Sequence, residues 1–327
     1  MSDAAAELAE LRKQTIWEML QASAARVPDR AALVGVDDDG NERRLTYAEL
    51  VGQVREFSAG LAHIGVKRGD RIVLWMTNSL EWVIACFGAM RIGAAVVPIN
   101  TFLKPDEIDY LIRQSGARHL VIIDTFRKLD MPGMLGELCP HFAALDRPGY
   151  VAGPEFPDLR NVVLLSCRGG SHPGTFDYRA LQQIGRDDGA AIALAEEMTA
   201  ATSSGDLGFV KYTSGSTSFP KGVMLQQGGI VANGILHSRR IGVVDTREQV
   251  VGPRHSAGAI SEPAGQRNIE HTLGRRAGSA RPIVSRGVEI AAHDVHDAAL
   301  GTSLEPVDDI EQVSELMRTV RRPTGEV

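Results

Sequence analysis

The stretch that decides the fold is RIVLWMTNSLEWVIACFGAMRIGAAVVPI, residues 71–99. It begins with Arg71–Met76, a β-branched and aromatic run that is typical of a buried strand. Asn78 has the chemistry of a helix N-cap, and the helix that it predicts ends near Gly93. Ala94–Ile99 returns to an apolar run, the pattern of a second buried strand. A strand, a helix and a strand in this order predict two parallel strands joined by a crossover helix.

The same alternation continues on both sides of this stretch. Upstream, Thr46 followed by Glu49 forms a capping box, and Gly65 closes the helix that it starts. Downstream, Pro105 starts a helix that stops at Gly116. The other predicted segments are a strand at His119–Asp124, turns over residues 127–157, a strand at Asn161–Cys167 and a polar helical region to about Ala201. Repeated units of this kind predict an α/β fold in which helices cover a largely parallel sheet.

Composition and charge exclude several functional classes. The chain has 327 residues, 43% of them hydrophobic, and a formal net charge of −6, so a soluble protein without a basic nucleic-acid surface is expected. No run approaches the roughly 18 apolar residues of a membrane-spanning helix, and charged residues interrupt 1–19, unlike a secretory signal. We therefore expect a cytoplasmic protein with no transmembrane segment. The cysteines, Cys86, Cys139 and Cys167, lack metal-site spacing, so we expect reduced structural thiols and no resident metal.

Composition changes after Thr246. Residues 247–327 contain no Phe, Tyr, Trp or Lys, whereas Arg, Ala, Gly and Pro are frequent. A segment with so few large apolar side chains has little to bury, so we predict that it is poorly ordered. Two origins fit this composition: a natural disordered tail, or a GC-rich gene read in a shifted frame. We therefore divide the chain into a domain at 1–246 and an unrelated tail at 247–327.

The segment TSGSTSFPKG, residues 213–222, carries the chemistry. It follows a predicted strand at Leu207–Tyr212 and precedes a return to an extended pattern. Successive hydroxyl and backbone N–H groups around a glycine form an anion-binding concavity, and a lysine at its far end adds a charge suited to phosphate. The sequence therefore predicts a polyphosphate site. The candidate binding residues are Thr213, Ser214, Gly215, Ser216, Thr217, Ser218, Lys221 and Gly222.

Spacing excludes two better-known loops for this segment. A Walker loop has Gly before its Lys and Ser or Thr after it, whereas here Pro220 precedes Lys221 and Gly222 follows it. A serine-hydrolase elbow has glycines two residues on either side of its serine, and no serine of the segment has that pair. A polar surface turn is the remaining alternative, because Gly, Ser and Pro are common in ordinary turns.

Several motifs extend the pattern over much of the chain. In chain order they are LTYAEL at 45–50, GDRIV at 69–73, NSLEW at 78–82, GAAVVPIN at 93–100 and YTSGSTSFPKGVM at 212–224. Together they resemble the adenylate-forming enzymes, the superfamily of acyl-CoA synthetases, luciferases and peptide-synthetase adenylation domains. The resemblance covers about residues 14–245 and is to the fatty acyl-CoA synthetase type.

This resemblance implies a two-step reaction. A carboxylate, here a fatty or aromatic acid, attacks the α-phosphate of ATP to give an acyl adenylate and pyrophosphate. A thiol, usually that of coenzyme A, then takes the acyl group, and Mg²⁺ bridges the phosphates in the first step. The groups implied to hold the β- and γ-phosphates are the hydroxyls of Thr213, Ser214, Ser216 and Thr217 and the N–H of Gly215, with Lys221 as charge partner. No covalent or general-base catalyst is implied, because the substrate is already a carboxylate.

The chain departs from the family pattern in two places. Ser218 stands where the family usually has Gly, and a side chain there costs about 1 kcal/mol if the backbone needs a positive φ. Beyond Thr246 the family's adenine-binding, hinge and closing-lysine blocks are missing. We therefore expect a truncated acyl-CoA ligase with impaired catalysis. The alternatives are a non-catalytic nucleotide-binding remnant and an adenylation domain that loads an amino acid onto a carrier protein, while the acid, the thiol acceptor and the oligomeric state stay open.

Overall fold

A computed structural model describes residues 3–36, 41–213, 220–241 and 289–290. The strands are β1 (Ala31–Val36), β2 (Glu42–Thr46), β3 (Arg71–Trp75), β4 (Ala95–Pro98), β5 (His119–Ile123), β6 (Thr125–Phe126), β7 (Leu129–Asp130), β8 (Asn161–Leu165), β9 (Phe176–Asp177), β10 (Leu207–Thr213), β11 (Lys221–Gln226) and β12 (Glu289–Ile290). The helices are α1 (Asp3–Leu11), α2 (Ile16–Arg26), α3 (Tyr47–His63), α4 (Leu80–Arg91), α5 (Pro105–Ser115), α6 (Met131–Leu138), α7 (Pro140–Ala143), α8 (Tyr178–Asp187), α9 (Gly189–Ala201) and α10 (Gln227–Ile241).

Seven strands form the central sheet, in the order β11-β10-β4-β3-β5-β8-β9. Neighbouring strands run parallel from β10 to β9, and within this sheet only β11 runs antiparallel to its neighbour, β10. β3 occupies the central position, and its residues from Ile72 to Trp75 are buried. This arrangement confirms the predicted α/β fold with a largely parallel sheet.

Two smaller sheets lie beside the central one. β1 and β2 form an antiparallel hairpin, and the backbone of β12 pairs with the other edge of β1. β6 and β7 form a short hairpin after β5. Apart from the backbone of β12, the tail predicted to be poorly ordered, 247–327, lies outside the described residues.

The stretch at 71–99 forms β3, α4 and β4 as predicted, with one correction at the start of the helix. The N-cap is Ser79 and not Asn78, since the Ser79 hydroxyl accepts the backbone N–H of Trp82 at 3.1 Å. Asn and Ser are both favourable N-caps, so the local sequence does not choose between two adjacent candidates. The prediction was wrong by one residue for this reason.

The start and end residues predicted for α3 and α5 are confirmed by the structure. α3 starts at a complete capping box between Thr46 and Glu49. α5 starts at Pro105, and Gly116 after its end adopts the left-handed conformation with φ +60°. The turns predicted over 127–157 are partly wrong, because α6 and α7 form there as short helices. Helices this short depend on tertiary packing rather than on local propensity.

α3 and α8 cross where glycines let their backbones touch. A Cβ atom added to Gly60 of α3 would lie 2.3 Å from the carbonyl oxygen of Leu181. One added to Gly185 of α8 would lie 1.8 Å from the carbonyl oxygen of Glu56. Neither distance is possible in a packed interior, so the two helices require glycine at both positions to stay at this separation.

Alanine at Gly60 is therefore expected to destabilise the protein by about 1–3 kcal/mol, because the helices must move apart. Gly52 in the same helix is the matched control, since a Cβ there meets nothing within 4 Å. Gly52→Ala is expected to stabilise α3 by about 0.5–1 kcal/mol, the usual gain in a helix interior. Urea unfolding followed by circular dichroism measures both, and equal effects of the two substitutions would contradict the close crossing.

No helix within the described residues is both long and apolar enough to cross a membrane. The cytoplasmic location stays a prediction. Cys86 and Cys139 are buried, as expected for structural thiols, whereas Cys167 is exposed. The expectation of a structural thiol at Cys167 was wrong because the residue lies two positions beyond the buried strand β8.

Candidate functional site

The predicted phosphate segment connects the paired ends of an antiparallel hairpin. Thr213 at the end of β10 lies opposite Lys221 at the start of β11, and Tyr212 lies opposite Gly222. Thr213 is half-buried and Lys221 is exposed. The hairpin therefore brings the first hydroxyl and the lysine of the candidate set together. The other candidates, Ser214, Gly215, Ser216, Thr217 and Ser218, lie outside the described residues.

The two ends of this segment, Thr213 and Lys221, lie at the carboxyl end of strand β10. β10 runs parallel to β4, with Phe209 paired to Val96, so both strands end on the same side. β3, β5 and β8 end on that side too. Open α/β sheets bind ligands beyond the carboxyl ends of their strands. Thr213 and Lys221 therefore lie at the edge of the sheet where ligands bind in this fold class.

Helix α5 holds the base of the hairpin from one side. The Tyr110 hydroxyl donates a hydrogen bond to the carbonyl oxygen of Pro220 at 3.1 Å, and the Tyr212 hydroxyl donates one to the side-chain oxygen of Gln114. Burial raises the pKa of the Tyr212 hydroxyl, and the neighbouring Tyr110 adds to this effect. A Cβ at Gly222 would lie 3.3 Å from the Tyr212 ring, so glycine makes room for the ring. The two tyrosines thus fix where the segment starts and ends.

A buried glutamine holds the other end of β11. Gln227 is fully buried; its side-chain oxygen accepts the N–H of Ile16 at 3.2 Å, and its side-chain nitrogen donates to the carbonyl of Met90 at 2.9 Å. Its backbone N–H donates to the carbonyl of Asp206 at 2.9 Å. One side chain therefore connects the start of α10 to α2 and α4. The sequence gives no signal for this role, because both partners are distant along the chain.

Lys211 is a second lysine near the segment, and the sequence pattern does not indicate it. It lies on β10, two residues before Thr213, and it is half-buried. Its ammonium nitrogen is 5.6 Å from the centre of the Phe209 ring. Burial lowers the pKa of Lys211 to about 8. Lys211 is therefore partly deprotonated near neutral pH, in contrast to a lysine in water.

A partly exposed aromatic cluster lies at the same edge of the sheet. Phe102 follows β4, and Phe126 follows β5; their rings are 5.2 Å apart and nearly perpendicular. The guanidinium of Arg127 lies 5.0 Å from the Phe102 ring and 5.4 Å from the Phe126 ring. Arg127 has φ +57°, an unfavourable conformation for a residue with a side chain, and Phe102 is 61% exposed. We call Phe102, Phe126 and Arg127 the aromatic–arginine cluster.

A buried carboxylate orders the loop beside this cluster. Asp124, directly after β5, is 2% exposed and accepts backbone N–H groups from Thr125, Cys167, Arg168 and Gly170 at 2.8–3.0 Å. Burial alone would raise the pKa of Asp124, but the N–H groups of Arg168, Cys167 and Gly170 outweigh it, and the pKa is lowered. The ionised carboxylate therefore ties the loop after β8 to the end of β5.

Replacing Asp124 by Asn is expected to destabilise the protein by about 1–3 kcal/mol at pH 7, because an amide cannot accept all these N–H groups. The folded-state pKa is below the ordinary value, so the contribution is complete above that value and is lost as pH falls through the lower pKa. The stability gap between wild type and Asp124→Asn should thus close in acid. Urea unfolding across pH measures it, with Asp158→Asn, an exposed site, as the control. A gap that is constant with pH would contradict the account.

Comparison with known proteins identifies the family. Residues 20–254 match the family described as AMP-binding enzyme, and the chain belongs to that family. The Bacillus subtilis protein named "Putative acyl-CoA synthetase YngI" is 31% identical over 226 residues, which is 69% of this chain and 40% of that protein. Mitochondrial medium-chain acyl-CoA ligase ACSF2 of Danio rerio is 31% identical over 71% of this chain and 37% of its own length. The chain thus spans well under half the length of these relatives.

Solved structures show the same fold. The anthranilate CoA ligase AuaEII in complex with anthranoyl-AMP has a TM-score of 0.51 and 22% identity, with 70% of this chain and 36% of that chain covered. Brucella canis acyl-CoA synthetase also has a TM-score of 0.51 and 22% identity, with 72% of this chain and 38% of that chain covered. The recognition of an adenylate-forming N-terminal region from its motifs is confirmed.

Proposed function

We propose that this chain binds ATP as the nucleotide-handling region of an acyl-CoA ligase. In the full reaction a fatty or aromatic carboxylate and ATP give an acyl adenylate and pyrophosphate, and coenzyme A then receives the acyl group. The observation that carries the proposal is the pairing of Thr213 with Lys221 at the carboxyl edge of the sheet. It gives the hydroxyl-rich segment a fixed base and a positive charge beside it.

The residues present suit a bound polyphosphate. Lys221 is exposed at the base of the hairpin and can supply a point charge to phosphate oxygens. The proposed role of the segment from Thr213 to Ser218 is to donate hydroxyl and N–H hydrogen bonds to the β- and γ-phosphates. Bound Mg²⁺ would lower the charge on the phosphates. The described residues contain no group of three or more His, Cys, Asp or Glu placed to hold a metal, so the phosphate oxygens would be its principal ligands.

Attack by the carboxylate needs positioning and charge stabilisation rather than a protein base, because the nucleophile is already ionised. The chain's proposed contribution is to fix the β- and γ-phosphates while the bond from the α-phosphate to pyrophosphate breaks. Lys221 and the N–H groups would stabilise the charge that develops on the leaving pyrophosphate. Lys221 therefore has the role of a charge partner in this proposal.

ATP–pyrophosphate exchange with fatty, aromatic and amino acids tests the proposal. Exchange that depends on fatty or aromatic acids is the expected result for an acyl-CoA ligase. Dependence on amino acids would favour the carrier-protein adenylation domain, and Mg-ATP binding without exchange would favour a nucleotide-binding remnant. A folded protein that does not bind Mg-ATP in calorimetry would overturn all three.

Two substitutions localise the binding to the segment. If the bound segment needs a positive φ at position 218, Ser218→Gly is expected to tighten Mg-ATP binding several-fold, because a side chain there costs about 1 kcal/mol. Lys221→Met is expected to weaken binding about tenfold or more through loss of a charged contact to phosphate. Lys67→Met, at an exposed position before β3 and so at the opposite edge of the sheet, is the control for net charge. Equal effects of the two lysine substitutions would remove the segment from the binding site.

The aromatic–arginine cluster is the proposed docking site for the nucleotide part of coenzyme A. The exposed Phe102 ring suits stacking with a purine, and the Arg127 guanidinium suits phosphate. The cluster lies after β4 and β5, at the same edge as the phosphate segment, so a thiol carried by the bound molecule could approach the acyl adenylate. The strained backbone at Arg127 supports a role for its position, since such outliers concentrate at binding sites.

Arg127→Gln is expected to weaken coenzyme A binding about tenfold, the usual effect of losing a charged hydrogen bond to phosphate. The loss should be smaller for 3′-dephospho-coenzyme A if the guanidinium contacts the 3′-phosphate. Lys128→Gln, the adjacent exposed residue, is the matched control, with a change of about twofold from general electrostatics. Calorimetric titration of the full chain measures each constant. Equal losses for the two variants would refute a specific cluster site.

A further inference from the structure

His172 joins the connection between β8 and β9, residues 166–175, to helix α7. Its imidazole ring stacks on the buried ring of Phe142, with the ring centres 4.1 Å apart and an angle of 16° between the planes. Its Nδ1 atom accepts the backbone N–H of Gly174 at 3.0 Å. Its carbonyl oxygen accepts the N–H of Thr175 at 3.0 Å and the hydroxyl of Thr175 at 2.7 Å. One residue therefore links α7 to the turn that leads into β9.

The turn at Gly174 is packed closely against His172. Gly174 is buried, and a Cβ atom added to it would lie 3.0 Å from the Cβ atom of Leu145 and 3.2 Å from Nδ1 of His172. The residues after the turn, Phe176 and Asp177, form β9 and pair with β8 at the edge of the central sheet. A strand of two residues has few ladder hydrogen bonds of its own, so its position depends on the turn before it.

The hydrogen bond from Gly174 requires a neutral imidazole. An Nδ1 atom that accepts an N–H carries no proton, so the proton of the neutral His172 ring is on Nε2. The imidazolium form has N–H groups at both nitrogens, and its Nδ1–H would face the N–H of Gly174. Histidine gains this second proton in mildly acidic solution. Protonation of the ring therefore breaks the hydrogen bond.

The groups around the ring determine where it gains this proton. Phe142 of α7 and Leu145 after it carry no charge, and burial lowers the pKa of His172. Among the described residues, the charged group that opposes this shift is Asp130, the N-cap of α6, and its effect is smaller than that of burial. Near its start the connection is bound to Asp124, whose pKa is lowered, so those hydrogen bonds persist in mild acid.

We propose that His172 is a pH-sensitive switch that holds the end of the β8–β9 connection when neutral and releases it in mild acid. The proton comes from solvent, and no covalent bond forms or breaks. The stabilisation is complete above the ordinary histidine pKa of 6.5 and is lost as pH falls through the lower pKa of the folded protein. The connection then opens locally next to β9, while the part bound to Asp124 stays ordered.

Hydrogen–deuterium exchange of the full chain from about pH 7.5 to about pH 5, corrected for the intrinsic pH dependence of exchange, tests the switch. Amides of residues 174–177 are expected to lose about three- to tenfold of their protection over this range, the effect of one lost hydrogen bond. The amides that donate to Asp124 are expected to keep their protection. Loss of protection at both ends of the connection, or at neither, would overturn the proposal.

Two substitutions at position 172 separate protonation from packing. His172→Asn offers the N–H of Gly174 an amide oxygen that does not titrate, an arrangement typical of asparagine in turns, so protection should be independent of pH. His172→Phe keeps a ring on Phe142 but has no acceptor, so protection should be low at every pH. His141→Asn, at an exposed position of α7, is the control and should keep the wild-type pH dependence. A pH dependence that persists in His172→Asn or disappears in His141→Asn would contradict the role of His172.

Discussion

The antiparallel pairing of β10 with β11 is the interaction on which the rest of the site depends. It turns a segment that would otherwise be a surface connection into one with two fixed ends, with Thr213 opposite Lys221. Within the described residues β11 pairs on one side only, and an edge strand of this kind needs support from outside the ladder. Tyr110 of α5 and the buried Gln227 give that support at opposite ends of β11. The two described ends of the candidate site, Thr213 and Lys221, are thus held by the sheet.

The two lysines near the segment have the same side chain but differ in their exposure to solvent. Lys221 is exposed at the start of β11, whereas Lys211 is half-buried and burial lowers its pKa. Asp124 shows the reverse case, because a buried carboxylate stays ionised when N–H groups surround it. Burial penalises charge at both Lys211 and Asp124, and at Asp124 the surrounding N–H groups outweigh that penalty.

Elements with local signals could be predicted from the sequence. The capping box at Thr46 and the left-handed Gly116 are chemical features of single turns, and both ends formed as expected. Features that depend on distant residues could not be predicted: Gln227 bonds a residue 211 positions away, and Asp124 collects N–H groups from more than 40 positions downstream. The phosphate segment was predictable in part. Its residue types indicated a ligand, but only the sheet topology showed that Thr213 lies opposite Lys221.

Hydrogen–deuterium exchange of the full chain, with and without Mg-ATP, tests most directly whether the hairpin presents a nucleotide site. The account predicts that amides between Tyr212 and Gly222 exchange at least about tenfold more slowly when the nucleotide is present, since they become donors to phosphate. Amides of α8, on the far side of the fold from β11, should keep their rates. Protection that appears elsewhere while the hairpin segment is unchanged would contradict the account.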